Sequence, residues 1–181
     1  REHGVVTVPE IREVDVDLGV SAFVPQDLVS DQKSRLELLR EMDAAIDAGE
    51  AARVRAALID RFGKLPQPLD VLLRVFLLKH LLLDQDVLAV QRTGPDRVVV
   101  RHAADQPLGG AWLDHFADVR RVESGKTLLV LPLRRGRKVA DWTPIETLQL
   151  LLESLSAGDA LPRIATCERN SSRAGHSSRS R

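Results

Sequence analysis

The chain has 181 residues, 44% hydrophobic, 29% charged and only 3% aromatic, and its 26 basic residues balance 26 acidic ones. That composition suits one globular domain with extensions, leaves the core to Leu, Val, Ile and Ala, and excludes a global basic field for nucleic-acid binding. A single cysteine, Cys167, excludes an internal disulfide or a thiolate metal cluster, and no apolar run reaches the roughly 18 residues that span a bilayer. We therefore expect a cytoplasmic protein with no membrane partner, and the start at Arg1 leads us to expect a piece of something longer.

Residues 1–13 read as a linker arm. Val14, Val16 and Leu18 then alternate with Asp15 and Asp17, the pattern of a half-buried strand; Gly19 interrupts it, and Val20, Ala22 and Val24 resume it before Pro25. Ser30 or Asp31 can cap a first helix, with Leu36, Leu39, Met42 and Ile46 as its stripe and Gly49 as its end. A second helix is expected from Glu50 to Phe62, with Val54, Leu58 and Phe62 on one face and Gly63 placed for a left-handed cap. Pro66 and Pro68 restart the chain as a third helix to Leu83, with Leu69, Leu72, Leu73, Phe76, Leu77, His80 and Leu81 at i, i+3, i+4 spacing.

The second half changes style. Val87 to Gln91 and Val98 to Arg101 are β-like runs around the turn cluster Gly94-Pro95-Asp96. Gly109-Gly110 precedes a short helix carrying Trp112, Leu113 and Phe116, and Leu128 to Leu131 reads as another strand. Thr143-Pro144-Ile145-Glu146 is a capping box that opens a last helix, with Ile145, Leu148, Leu151, Leu152 and Leu155 inward. Residues 158–181 are rich in Ser, Arg and Gly and read as a disordered tail. The predicted fold is α+β over residues 14–157: an N-terminal helical half followed by a small β-sheet with a C-terminal helix.

Few side chains suggest chemistry. Ser124-Gly125-Lys126-Thr127 ends like a phosphate-binding loop, but Arg120 stands where the motif needs glycine and a strand follows where it needs a helix, so a hairpin turn is expected. The five histidines, His3, His80, His102, His115 and His176, show no metal-ligand spacing, and His80 fits a hydrogen-bonded boundary position. No catalytic, cofactor-binding or metal-ligating set is predicted. Arg134, Arg135, Arg137 and Lys138 form the densest basic cluster; they read as a solvated loop, with phosphate contact as the alternative. Asp60 sits at the negative end of the second helix, where the helix dipole disfavours an acid and favours its neighbour Arg61. A local ion pair or turn-capping hydrogen bond on one side, and a partner contact on the other, are the two readings of Asp60.

Two segments carry a family resemblance. Val16-Asp17-Leu18-Gly19-Val20-Ser21-Ala22-Phe23-Val24-Pro25 and Leu58-Ile59-Asp60-Arg61-Phe62-Gly63-Lys64-Leu65-Pro66-Gln67-Pro68 are similar, in order and separation, to patterns in the C-terminal domain of bacterial transcription-repair coupling factors. The chain departs from the family at Ala57, usually Glu, at Leu28 and Leu39, where Tyr is common, and at Leu83-Asp84, where Leu-Gly is usual. The resemblance implies a non-enzymatic, autoinhibitory protein-binding domain. Its parent would be an ATP- and Mg-dependent double-stranded DNA translocase that displaces stalled RNA polymerase and recruits UvrA for nucleotide-excision repair. It further implies that Asp60 and Arg61 lie near a contact with a UvrB-like module of the same protein, masking that module's UvrA-binding surface. The rival is a nucleic-acid-binding accessory module using Arg134 to Lys138 and the basic tail.

Overall fold

Helix formation in the first half follows from caps and prolines. In a computed structural model of the chain, residues 13–102, 112–113, 116, 120–122, 128–135, 138–139 and 142–156 are described. Helix α1 (Gln32–Asp43) starts at Asp31, whose carboxylate accepts the Ser34 N–H at 2.8 Å. Helix α2 (Ala48–Phe62) starts at Asp47, which accepts from the Glu50 N–H at 2.8 Å while the Glu50 carboxylate accepts from the Ile46 N–H at 3.1 Å. The first helix thus ends at Asp43 rather than at Gly49, which lies inside the first turn of α2. Helix α3 (Gln67–Leu83) opens on Pro66 and Pro68, and helix α4 (Pro144–Leu155) opens on the complete capping box of Thr143 and Glu146.

The alternating segment at Val14 becomes strand β1 (Asp15–Asp17), whose partner is far along the chain. It pairs in parallel with β2 (Val87–Arg92), with Asp15 opposite Ala89 and Asp17 opposite Gln91. Strand β3 (Arg97–His102) pairs antiparallel with β2, and β5 (Leu128–Pro132) with β3. Strand β4 (Arg120–Val122) closes the far edge, giving the order β1-β2-β3-β5-β4. A separate two-stranded ladder, β6 (Arg134–Arg135) with β7 (Lys138–Val139), follows at once. The resumed alternation at Val20 to Val24 joins no strand; the Phe23 N–H donates instead to the Pro68 carbonyl at 3.3 Å.

Helix α3 organises the molecule because it has two apolar faces. Val71, Leu77, Leu78 and Leu82 pack with the inner sheet residues Val90, Val98, Val100, Leu129 and Leu131 and with Leu148, Leu151 and Leu152 of α4. Its other side, through Leu69 and Leu73, joins Leu38, Met42 and Leu58 of the first two helices and Val24 and Val29. Trp112 and Phe116 also enter the sheet-side core, as an edge-to-face pair with centroids 6.1 Å apart. The expected stripe of α1 is correct at Met42, which is buried, and partly so at Leu39, but Leu36 and Ile46 are exposed and Leu38 faces the core in their place. Ile145 likewise sits at the surface and not inward.

The family departures have structural reasons. Leu28 and Leu39 are partly buried against the helical core, where leucine fills space without a hydroxyl to satisfy. Asp84 caps α3 at φ −63°, so no glycine is required there; the positive φ of this turn falls on Asp86, at 54°.

Candidate protein-interaction surface

The corner between α2 and α3 is built by chain reversal. The Gly63 N–H donates to the Ile59 carbonyl at 2.7 Å, and Gly63 takes φ 77°, ψ −138°. Its φ is positive, as a terminating glycine requires, but its ψ lies far from the left-handed helical well. The corner is braced from below: Asp70 of α3 accepts from Arg55 of α2 at 2.7 Å and from Arg74 of α3 at 2.6 Å.

Upon this brace stand Ile59, Asp60 and Arg61, all exposed. The Arg61 guanidinium lies over the Phe62 ring, 4.9 Å from its centroid, so its flat face is already engaged. Among the described residues Asp60 has no hydrogen-bond or ion-pair partner, which removes the local ion pair as a reason for its charge. Ile59 is 38% exposed beside it, and the neighbouring outer positions Ala52, Ala56 and Ala57 carry only methyl groups. Ile59 is legible in the sequence only by its position one residue off the Val54, Leu58, Phe62 stripe.

The other predicted cluster is placed differently from expectation. Arg134, Arg135 and Lys138 belong to the β6–β7 ladder and not to an open loop; Arg137 lies outside the described residues. Asp60 stands near the end of α2, whereas Arg134, Arg135 and Lys138 belong to a ladder late in the chain. Residues 123–127, with the phosphate-loop-like run, also lie outside the described residues; β4 before them and β5 after them pair antiparallel. His80 meets its expected role: its Nε2 is 2.7 Å from the carbonyl oxygen of Asp43, tying the end of α1 to α3. His3, His115, His176 and Cys167 lie outside the described residues, as do residues 1–12 and 157–181. Among the described residues there is no group of three potential metal ligands, and no helix is long and apolar enough to cross a membrane.

Together these elements define an α+β domain in which one helix, α3, joins a helical layer to a sheet. The sequence profile of the TRCF domain matches residues 18–110. The transcription-repair-coupling factor of Myxococcus xanthus is 36% identical over 98 residues, covering 54% of this chain and 8% of that protein. That of Mycobacterium bovis (strain ATCC BAA-935 / AF2122/97) is 28% identical over 167 residues, covering 87% of this chain and 13% of that protein. A crystal structure of the C-terminal domain of a transcription-repair coupling factor superposes with a TM-score of 0.63 at 22% identity, covering 80% of this chain and 92% of that one, which speaks for the fold. The chain belongs to the TRCF domain family. It spans only 8% and 13% of the length of the two relatives just described.

Proposed function

We propose that this domain restrains a transcription-repair coupling factor by binding a UvrB-like module of the same protein, masking the surface that recruits UvrA until RNA polymerase is engaged. The observation that carries this reading is Asp60: an exposed carboxylate without a partner among the described residues, held at the unfavourable end of a helix on a braced corner. A carboxylate with no partner among the described residues is available to an arginine on a partner. In this reading ATP, Mg and duplex DNA are handled by other parts of the parent protein, and this domain supplies only the restraint.

The test is the Asp60→Arg variant in the full-length protein. Its affinity for UvrA in the absence of polymerase is expected to rise, because reversal turns attraction into repulsion at the closed contact. Unchanged UvrA binding would refute the role given to Asp60.

A further inference from the structure

We propose that the outer face of α2 is self-complementary and pairs with α2 of a second copy of this chain, antiparallel about a two-fold axis. The face is the one that carries Asp60, so a second copy and the UvrB-like module exclude each other there. The inference does not need that module, because it follows from the face itself.

Helical spacing arranges the face. Ala51 and Leu58 are buried, which sets the core side of α2. At about 100° per residue, Ala52, Ala56 and Ile59 then fall on the far side, with Arg53 and Asp60 along one flank of it. All five are exposed. Arg55, on the other flank, is drawn aside to Asp70 at 2.7 Å and leaves the middle of the face to apolar groups.

The two charges of the face are open. Asp60 has no partner among the described residues, and Arg53, with its side chain 77% exposed, meets Glu50 at 3.8 Å, a loose surface contact. Arg53 and Asp60 stand two turns apart, beyond the i+3 and i+4 spacings at which side chains on one helix meet. Each therefore waits for an opposite charge from outside its own helix. A partner surface of a single sign is repelled by one of the two.

Two-fold symmetry supplies both signs. An axis that lies in the plane of contact and crosses α2 between Ala56 and Ala57 reverses the helix but keeps each flank on its own side. Position 53 then faces position 60 of the second copy, and position 60 faces position 53, so each arginine meets a carboxylate. On the other flank Ile59 comes level with the gap between Ala52 and Ala56 of the second copy, where methyl groups leave room for its side chain. Large sits on small and acid on base, twice over. Side chains this short let two helix axes approach to about 8 Å. Some three turns of helix per copy bury less than the roughly 1,200 Å² of a stable interface, so the dimer is weak and reversible.

The test is sedimentation equilibrium of the full chain between about 10 and 500 µM, where contacts of this size are populated, in reducing buffer so that Cys167 forms no cross-link. A monomer–dimer equilibrium that weakens as salt is added is expected. The variants R53E and D60R each set like charges opposite one another and should dimerise at least about tenfold more weakly. Mixed in equal amounts they restore both opposite-charge pairs, and the mixture should associate within about threefold of the parent. The variant A52L/A56L fills the seat of Ile59 with two good helix formers and should stay monomeric. Far-UV circular dichroism checks that each variant is folded. Four results would overturn the proposal: a monomer at every concentration; a dimer indifferent to both charge reversals; a mixture of R53E and D60R that associates no better than either alone; or A52L/A56L dimerising as the parent does. UvrA does not enter these measurements, so failure here leaves the restraint proposed above standing, and the converse holds.

Discussion

Replacing Gly63 by alanine isolates one energy at the corner that presents Asp60. A methyl added there meets nothing within 4 Å, so no clash contributes. What remains is conformation. At φ 77°, ψ −138° the backbone is close to the mirror image of extended polyproline geometry, a region that side chains of L-residues disfavour by about 1–3 kcal/mol. Alanine also narrows the unfolded ensemble, which offsets about 0.4–1 kcal/mol. Taking the middle of both ranges, the net loss is about 1.3 kcal/mol, or roughly 3–5 °C in Tm for a chain of this size. Urea unfolding followed by far-UV circular dichroism measures it, with Gly63→Asn as the discriminating companion. Asparagine tolerates the left-handed helical well, but here ψ is wrong for it, so both variants should lose about equally. A Gly63→Ala protein as stable as the parent, or an asparagine variant clearly better than alanine, would refute the reasoning.

Other changes probe the two-sided core and the caps. Leu78→Ala, at a position 0% exposed between α3 and the sheet, should cost about 2–5 kcal/mol in the same unfolding experiment. Thr143→Ala removes the hydroxyl of the capping box and should cost about 1 kcal/mol, largely recovered by Thr143→Ser. The Asp31 carboxyl is held below its ordinary value of 3.8 chiefly by the hydrogen bond from the Ser34 N–H. Its contribution is therefore complete above about pH 4 and disappears as the pH falls through the lowered value, so Asp31→Asn should flatten stability against pH only in that acid window.

Local signals carried much of this fold. The prolines and the unbroken apolar spacing of α3, the capping box of α4 and the turn between β2 and β3 were legible because neighbours in sequence determine them. The face of α1 was not. Its leucines permit one stripe through Leu36 and Leu39 and another through Leu38, both including Met42; docking on α3 buries Leu38 and Met42, leaves Leu39 partly buried and exposes Leu36. Nor could spacing reveal that Val71, Leu78 and Leu82 give α3 a second apolar face, since that requires knowing a sheet lies there. The parallel pairing of β1 with β2 is equally non-local. At the candidate site, Asp60 was legible as an anomaly against the helix dipole, but its lack of a partner among the described residues needed the structure.

Magnitudes limit what Asp60 alone would contribute to the proposed restraint. An exposed ion pair contributes about 0–1 kcal/mol, whereas swinging a two-state equilibrium from 1:99 to 99:1 takes about 5.5 kcal/mol. Ala57 supplies no second carboxylate one helical turn before Asp60, so the contact needs apolar area. Ile59, 38% exposed beside Asp60, contributes about 1–2 kcal/mol if covered fully. A closed state resting on both is therefore shallow and yields to a partner with modest differential affinity. Hence Asp60→Arg should strengthen UvrA binding by about tenfold or less, and adding Ile59→Ser should extend the gain by roughly another tenfold. Should Ile59→Ser leave UvrA binding untouched while Asp60→Arg strengthens it by far more than tenfold, the contact would be a desolvated ion pair and not the exposed, mixed surface described.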